Sequence, residues 1–343
     1  MSRGGVLRVS VVGAGWAGEQ HVRSLRGLTG VALAGVVDAD GSRASTLARE
    51  CGSPVFASVE ELIDRGRAEA LVIATPPGTH AEVALPALFR GVAVYLEKPI
   101  ARTLTDATAI VEAAESAGVP CAVGYQWRAI DALGALRSEL AHEPAALLVS
   151  RGVGVTQARS WFDDATLSGG LVAERGSHHI DLQCAIAGDV SSVQASRGRR
   201  SVSGHRSPSG TVEDVIALSL QFASGALGVV TVVWMPDGSQ GVHDLAVFTR
   251  VARFELELDP AFTLRGSTSD GREIVAQSSS RPFEASLADF LDCVRCTPPR
   301  AALCTPADAA HSLAVALACE EALASGVSVV VPSHAAGRER VAL

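Results

Sequence analysis

Aromatic residues make up only 4% of this 343-residue chain and charged residues only 19%, while 48% are hydrophobic. That Ala/Val/Leu-rich balance excludes a disordered or fibrous protein. Long apolar runs are missing as well. None approaches the roughly eighteen uninterrupted residues that a membrane helix needs, so no membrane partner is expected. Cysteine is sparse: the seven residues are scattered and odd in number, which argues against a disulfide framework. Cys293 and Cys296 form a lone CxxC without a second pair at zinc-ribbon spacing, and they read as buried thiols in an amphipathic helix. Clustered basic charge is absent too. The net charge is −8, and the only short basic run is Arg197, Arg199 and Arg200, which reads as a solvated loop, so nucleic acid is not an expected partner. Met1 to Gly5 shows no charged-and-apolar leader, and the expected location is the cytoplasm.

What is present is an alternation. From Leu7 to Gln126 short apolar runs (Leu7 to Val12, Val31 to Val37, Ala70 to Ala74, Val92 to Leu96, Cys121 to Val123) alternate with amphipathic stretches (Trp16 to Arg26, Ser42 to Cys51, Thr79 to Arg90, Leu104 to Ala117). Strands buried on both faces read as continuous apolar runs, so βαβ units and a parallel sheet are expected. After Trp127 the rhythm changes to a helix, a glycine-rich helix start near Gly169, and successive strands from Val190 to about Ile274, among them Val212 to Phe222, Ala226 to Trp234, Asp244 to Thr249 and Ala252 to Leu258. The expected fold is α/β: a Rossmann domain over residues 1–126 with a doubly wound parallel sheet, then an α+β domain over 127–343 with an open, mainly antiparallel sheet. Helices at Pro282 to Cys296 and Pro306 to Ser325 close the chain, the last expected to pack back on the first domain.

Gly13-Ala14-Gly15-Trp16-Ala17-Gly18 follows the first strand and opens the first helix, the context that gives a GxGxxG pattern meaning. The first glycine permits the turn, the second admits a pyrophosphate to the backbone, and the third lets helix and strand pack closely. A glycine-rich turn of another α/β protein is the alternative. Asp38, ending the second strand, is placed to accept hydrogen bonds from ribose hydroxyls and to repel a 2′-phosphate. NAD(H) is therefore preferred, with NADP(H) left open by Arg43. Lys98 ends a buried strand at the sheet edge where ligands bind, and can stabilise oxyanion character on a substrate oxygen by charge-assisted hydrogen bonding. Glu97 reads as its ion partner or a cofactor contact. In Gly169 to Asp181, helical spacing puts Glu174, His178 and Asp181 on one face, with His179 pointing elsewhere. A metal on that face is disfavoured by the nearby Lys98.

The GxGxxG loop, Ala74-Thr75-Pro76-Pro77-Gly78-Thr79-His80, Tyr95-Leu96-Glu97-Lys98-Pro99 and Gly169 to Asp181 together resemble the family of glucose-fructose oxidoreductase, inositol dehydrogenase and rhizopine-catabolism proteins. The resemblance implies hydride transfer between NAD(H) and a secondary carbinol of a sugar, cyclitol or related polyol. It makes His178 the proton-transfer group and Lys98 its catalytic partner, with Glu174 standing where many members have Asp, and it implies a cis bond before Pro99. Thr75, Pro76 and His80, at the next strand end, are placed to border the nicotinamide half of the cofactor, His80 reading equally as an exposed helix start; the resemblance further suggests Gln126, Arg128 and Trp161 as cofactor contacts beside Trp16, Ala17 and Glu97, and Asp181 as a substrate contact beside Lys98, Glu174 and His178. The second domain's sheet would mediate a homo-oligomer, dimer or tetramer. A non-catalytic NAD-binding regulator and a transient-oxidation glycoside-cleaving enzyme remain the alternatives.

Overall fold

The computed structural model describes residues 5–66, 68–155, 169–198, 215–235, 241–296 and 300–332. Its contacts divide the chain into two compact units, one built from the residues up to Ala129 with Ser280–Ala310, the other from Ile130–Ser279 with the residues from His311 on.

In the first unit β1 (Leu7–Val12), β2 (Val31–Val37), β3 (Ala70–Ile73), β4 (Ala93–Leu96) and β5 (Cys121–Val123) form a parallel sheet in the order β2-β1-β3-β4-β5. The connecting helices are α1 (Trp16–Gly27), α2 (Gly41–Cys51), α3 (Val59–Gly66), α4 (His80–Phe89) and α5 (Leu104–Ala117). Every residue of β3 and β4 is buried, as a sheet covered on both faces requires. Local chemistry sets the helix ends. Thr103 and Asp106 bond reciprocally at the start of α5, and Gly118 takes the left-handed conformation at its end. Helix α3 has no counterpart among the expected elements, because eight residues are too few to establish a period.

The second unit contains α6 (Asp131–Leu140), β6 (Leu147–Val155), a wide turn (Val172–Gly176), α7 (Ser177–Ala187), β7 (Val190–Gly198), β8 (Val215–Phe222), β9 (Leu227–Met235), β10 (Val242–Phe248), β11 (Ala252–Asp259), β12 (Thr263–Thr268), β13 (Glu273–Gln277) and β14 (Val329–Val330). The strand order is β13-β12-β11-β10-β6-β9-β8-β7-β14, with every pair antiparallel except β6 and β9. Strand β6 was not expected, yet it lies mid-sheet. Gly152 and Gly154 interrupt its apolar run, and both are there for space. A Cβ on Gly152 would stand 2.7 Å from Nε2 of His179, and one on Gly154 would stand 2.8 Å from the Trp234 ring.

Two helices close the chain, α8 (Pro282–Arg295) and α9 (Pro306–Ser325). Leu287, Phe290, Leu291 and Cys293 of α8 share a buried core with Val9, Val11, Val36, Val72 and Tyr95 of the parallel sheet. It is therefore α8 that packs back on this sheet. The expectation that gave this role to residues 306–325 and cut the chain once after residue 126 is corrected accordingly: from His311 onwards α9 belongs to the second unit. There the Val190 N–H donates to Nε2 of His311 (3.1 Å) and the Ser312 hydroxyl to Oδ1 of Asp181 (2.9 Å). Cys293 is buried but Cys296 is exposed, so only one of the CxxC pair is a core thiol. Among the described residues no helix is long and apolar enough to cross a membrane.

Candidate active site

At the carboxyl end of β1 the three glycines do different things. Gly13 has φ +100°, and a Cβ there would lie 2.6 Å from the carbonyl of Ala74; one on Gly18 would lie 1.9 Å from the Gly13 oxygen. The fold's own backbone therefore claims both positions. Around Gly15 nothing lies within 4 Å of the Cβ position, and Gly15 caps α1 with no side chain on the helix amides. That open approach to a helix N-terminus fits a dinucleotide pyrophosphate. Trp16 opens the helix, half exposed, with its ring edge-on to Phe283 at 5.8 Å. Ala17 follows it, only partly exposed.

The Asp38 carboxylate reaches back to this loop, accepting the Ala14 N–H (2.6 Å) and the Asp40 N–H (2.7 Å). Arg43 donates to the same carboxylate at 3.1 Å. Asp38 thus shapes the loop, and Arg43 is already engaged by it.

At the ends of β3 and β5 the structure corrects two assignments, those of His80 and Arg128. Thr75 and Pro76 are accessible, but His80 is fully buried, with Nδ1 3.2 Å from the Ile100 carbonyl and Nε2 3.0 Å from that of Thr75. Burial pushes its pKa down. It ties together the loops that carry Thr75 and Lys98, with both ring nitrogens on backbone, and is not a cofactor contact. Glu97, expected to be an ion partner of Lys98 or a cofactor contact, meets Nε2 of His21 through Oε1 at 2.6 Å, and its Oε2 accepts the main-chain N–H of Lys98 at 3.2 Å. Burial alone would raise its pKa, but the His21 hydrogen bond and the charges of His21 and Lys98 outweigh it and hold the carboxyl below the usual range. Arg128 is buried, donating to the Leu303 carbonyl (3.2 Å) and pairing with Asp308 (3.3 Å), so it anchors the segment between α8 and α9 and does not face a cofactor. Gln126 is half-buried at the end of β5. Lys98 itself is half-buried, and the Lys98–Pro99 bond is cis. It is also the only lysine in the chain, the other 28 of 29 basic residues being arginine.

In the second unit Gly169 and Gly170 both take positive φ (+79° and +71°) and lead into the wide turn. Ser177 N–H bonds to the Val172 carbonyl, five residues back, so the turn holds one residue more than an α-turn. This alters the expected spacing of Glu174, His178 and Asp181. Glu174 and His178 are partly exposed, whereas Asp181 is 1% exposed and is bonded to Ser312, so the assignment of Asp181 to substrate is corrected to a structural one. His179 is fully buried, with Nε2 3.2 Å from Nδ1 of His243, and Arg175 lies over the Trp234 ring at 5.3 Å. Trp161 lies outside the described residues.

Burial and the Arg175 charge push His243 down to about 4, and burial in the same surroundings holds His179 well below its ordinary value. Both rings are thus held neutral in the folded state although the unfolded chain protonates them near 6.5. Their contribution to stability is complete above about pH 6.5 and is lost as pH falls from there towards 4. The melting temperature should drop several degrees between pH 7 and 5, and a His243→Phe variant should show a shallower drop.

His21 and the His179–His243–Arg175 group were not picked out from sequence, since their partners are 64 to 76 residues away. The single lysine was a signal available in the composition.

Residues 7–125 match the family model described as oxidoreductase family, NAD-binding Rossmann fold, and residues 143–266 match the C-terminal domain of the same Gfo/Idh/MocA group. An inositol 2-dehydrogenase from Leifsonia xyli is 30% identical over 325 residues, spanning 92% of this chain and 91% of that one. A scyllo-inositol 2-dehydrogenase (NAD(+)) from Bacillus subtilis is 25% identical over 331 residues, 94% of this chain and 96% of that one. An oxidoreductase domain protein from Kribbella flavida shares the fold with a TM-score of 0.83 at 20% identity, covering 96% of this chain and 100% of that one. The protein described here therefore belongs to the Gfo/Idh/MocA oxidoreductases and is an NAD-binding dehydrogenase of that family.

Proposed function

We propose that the protein catalyses reversible hydride transfer between NAD(H) and a secondary carbinol of a cyclitol, sugar or related polyol, with Lys98, His178 and Glu174 as its catalytic residues. The observation that carries this reading is the placement of the chain's only lysine at the carboxyl end of β4, in the sheet whose β1 ends in the open glycine loop. A chain that uses arginine everywhere else has a compact ammonium where a reacting oxygen needs one. The two inositol dehydrogenases named above point to a cyclitol as the first substrate class to try.

NAD bound at Gly13, Gly15 and Gly18 supplies the hydride acceptor. Helix α1 presents its N-terminal amides there, and Asp38 supplies carboxylate oxygen beside the loop. Lys98 donates to the substrate oxygen and stabilises the negative charge that grows on it as the carbon gives up hydride. His178 takes the hydroxyl proton in oxidation and returns it in reduction, work suited to an imidazole near neutral pH. Glu174, in the wide turn that leads into α7, assists His178.

The half-buried residues of the second sheet, where Val149 pairs in register with Val229 and Ala246, support a role for that sheet in a homo-oligomer.

The test is a panel of myo-inositol, scyllo-inositol, aldoses and keto-sugars, assayed with NAD, NADP and their reduced forms. The expected result is reduction of NAD by at least one cyclitol or sugar, with NADP the poorer acceptor. NADH binding without turnover across the whole panel would overturn the reading in favour of a non-catalytic NAD-binding regulator. Aglycone release from glycosides without net NADH would overturn it in favour of a transient-oxidation cleavage enzyme.

A further inference from the structure

We propose that His21 is a positioning residue for Lys98, fixing through the Glu97 carboxylate both the main chain and the local charge around the only lysine. The inference rests on the assignment of Lys98 to the reacting oxygen and adds a residue that the glycine-loop motif does not include.

His21 sits on α1, six residues past the glycine that caps it, and its ring is fully buried. Tyr95 and Phe283 meet the ring at angles of 69° and 60°, with centroids 5.2 and 5.3 Å away, so its plane is set on two sides. Nε2 is 2.6 Å from Oε1 of Glu97, and among the described residues Nδ1 has no hydrogen-bond partner. Nε2 therefore carries a hydrogen and donates it to the carboxylate, whose oxygens can only accept. Oε2 of Glu97 is bonded to the N–H of Lys98. The result is a continuous connection from the helix that opens at the cofactor loop, through one carboxylate, to the main chain of the lysine.

Remove the donor and a buried carboxylate oxygen loses its partner. The Lys98 ammonium, whose charge already acts on Glu97, is then called on more heavily. Drawing that ammonium onto Glu97 holds its proton more firmly and takes it away from substrate.

Because no other lysine exists, the ε-amine can be followed directly: reductive methylation with formaldehyde and cyanoborohydride, read by mass spectrometry of the Lys98 peptide. Wild type, His21→Phe, which keeps an aromatic ring and removes the donor, and His21→Gln, which keeps a donor, should be compared on the same protein preparations. His21→Phe should slow Lys98 methylation about threefold or more and lower kcat on the best cyclitol of the panel about tenfold, with NADH affinity within about twofold of wild type. His21→Gln should recover most of both. Glu97→Gln, which removes the competing charge, should speed methylation and provides the readout if the Phe variant does not fold. The proposal is overturned if methylation and kcat in His21→Phe stay within about twofold of wild type. It is equally overturned if NADH affinity falls as far as kcat, or if the Phe and Gln variants lose equally. Undiminished turnover in Lys98→Ala would instead remove the catalytic assignment of Lys98 while leaving the methylation difference intact.

Discussion

Lys98→Ala is expected to lower kcat about 10²- to 10³-fold while leaving NADH affinity within about threefold of wild type. The size follows from what the ammonium is asked to do. In the ground state it donates to a neutral hydroxyl or carbonyl, an interaction that water replaces with little loss. As hydride leaves the carbon, the oxygen gains charge and the same donor becomes a charge-assisted one, so the loss falls on the transition state. Lys98→Arg should not restore activity, because the guanidinium is planar and larger and cannot place a compact point charge on the reacting oxygen. Steady-state kinetics on the best panel substrate, alongside NADH fluorescence titration, separate the two quantities. Near-normal kcat in Lys98→Ala would remove the lysine from the chemistry.

His178→Ala should cost about 10²- to 10⁴-fold in kcat, the range for loss of a positioned acid–base group. Partial recovery on adding imidazole would identify proton transfer as the missing function, since a small base can then occupy the vacated volume. His179→Ala is the control: a buried ring bonded to His243 should affect stability, with no recovery by imidazole. If added imidazole rescued the 179 variant and not the 178 variant, the two roles would have to be exchanged.

The parallel sheet was legible almost residue by residue, because strands buried on both faces advertise themselves as apolar runs and the glycines between strand and helix have steric reasons that can be stated in advance. Gly13 and Gly18 proved to be occupied by the fold's own backbone and Gly15 to be open, the division of labour the motif implies. Less legible were features made by contacts between distant parts of the chain. His80 looked like an exposed helix start until the Thr75 and Ile100 carbonyls were seen on either side of it. Arg128 looked like a cofactor contact because nothing in its neighbourhood in sequence discloses Leu303 or Asp308. Strand β6 was hidden by its two glycines, whose purpose becomes apparent only from side chains on α7, β9 and β10. Asp181 was misplaced because its partner Ser312 lies 131 residues along the chain, and the bearing of Glu174 for a different reason: a period of 3.6 residues was carried through a stretch that does not obey it.

That stretch also acts as a phase setting. Each residue of an α-helix turns the chain by about 100° about the axis. One surplus residue before Ser177 therefore sets the direction of Glu174 and Arg175 independently of the direction of His178. Shortening the segment by a single residue would leave α7 where it is and rotate everything ahead of it by more than a quarter of a circle. The relative bearing of the carboxylate and the imidazole in this protein is thus fixed by a residue count, and exchanging Glu for Asp adjusts reach along a bearing that the count has already chosen.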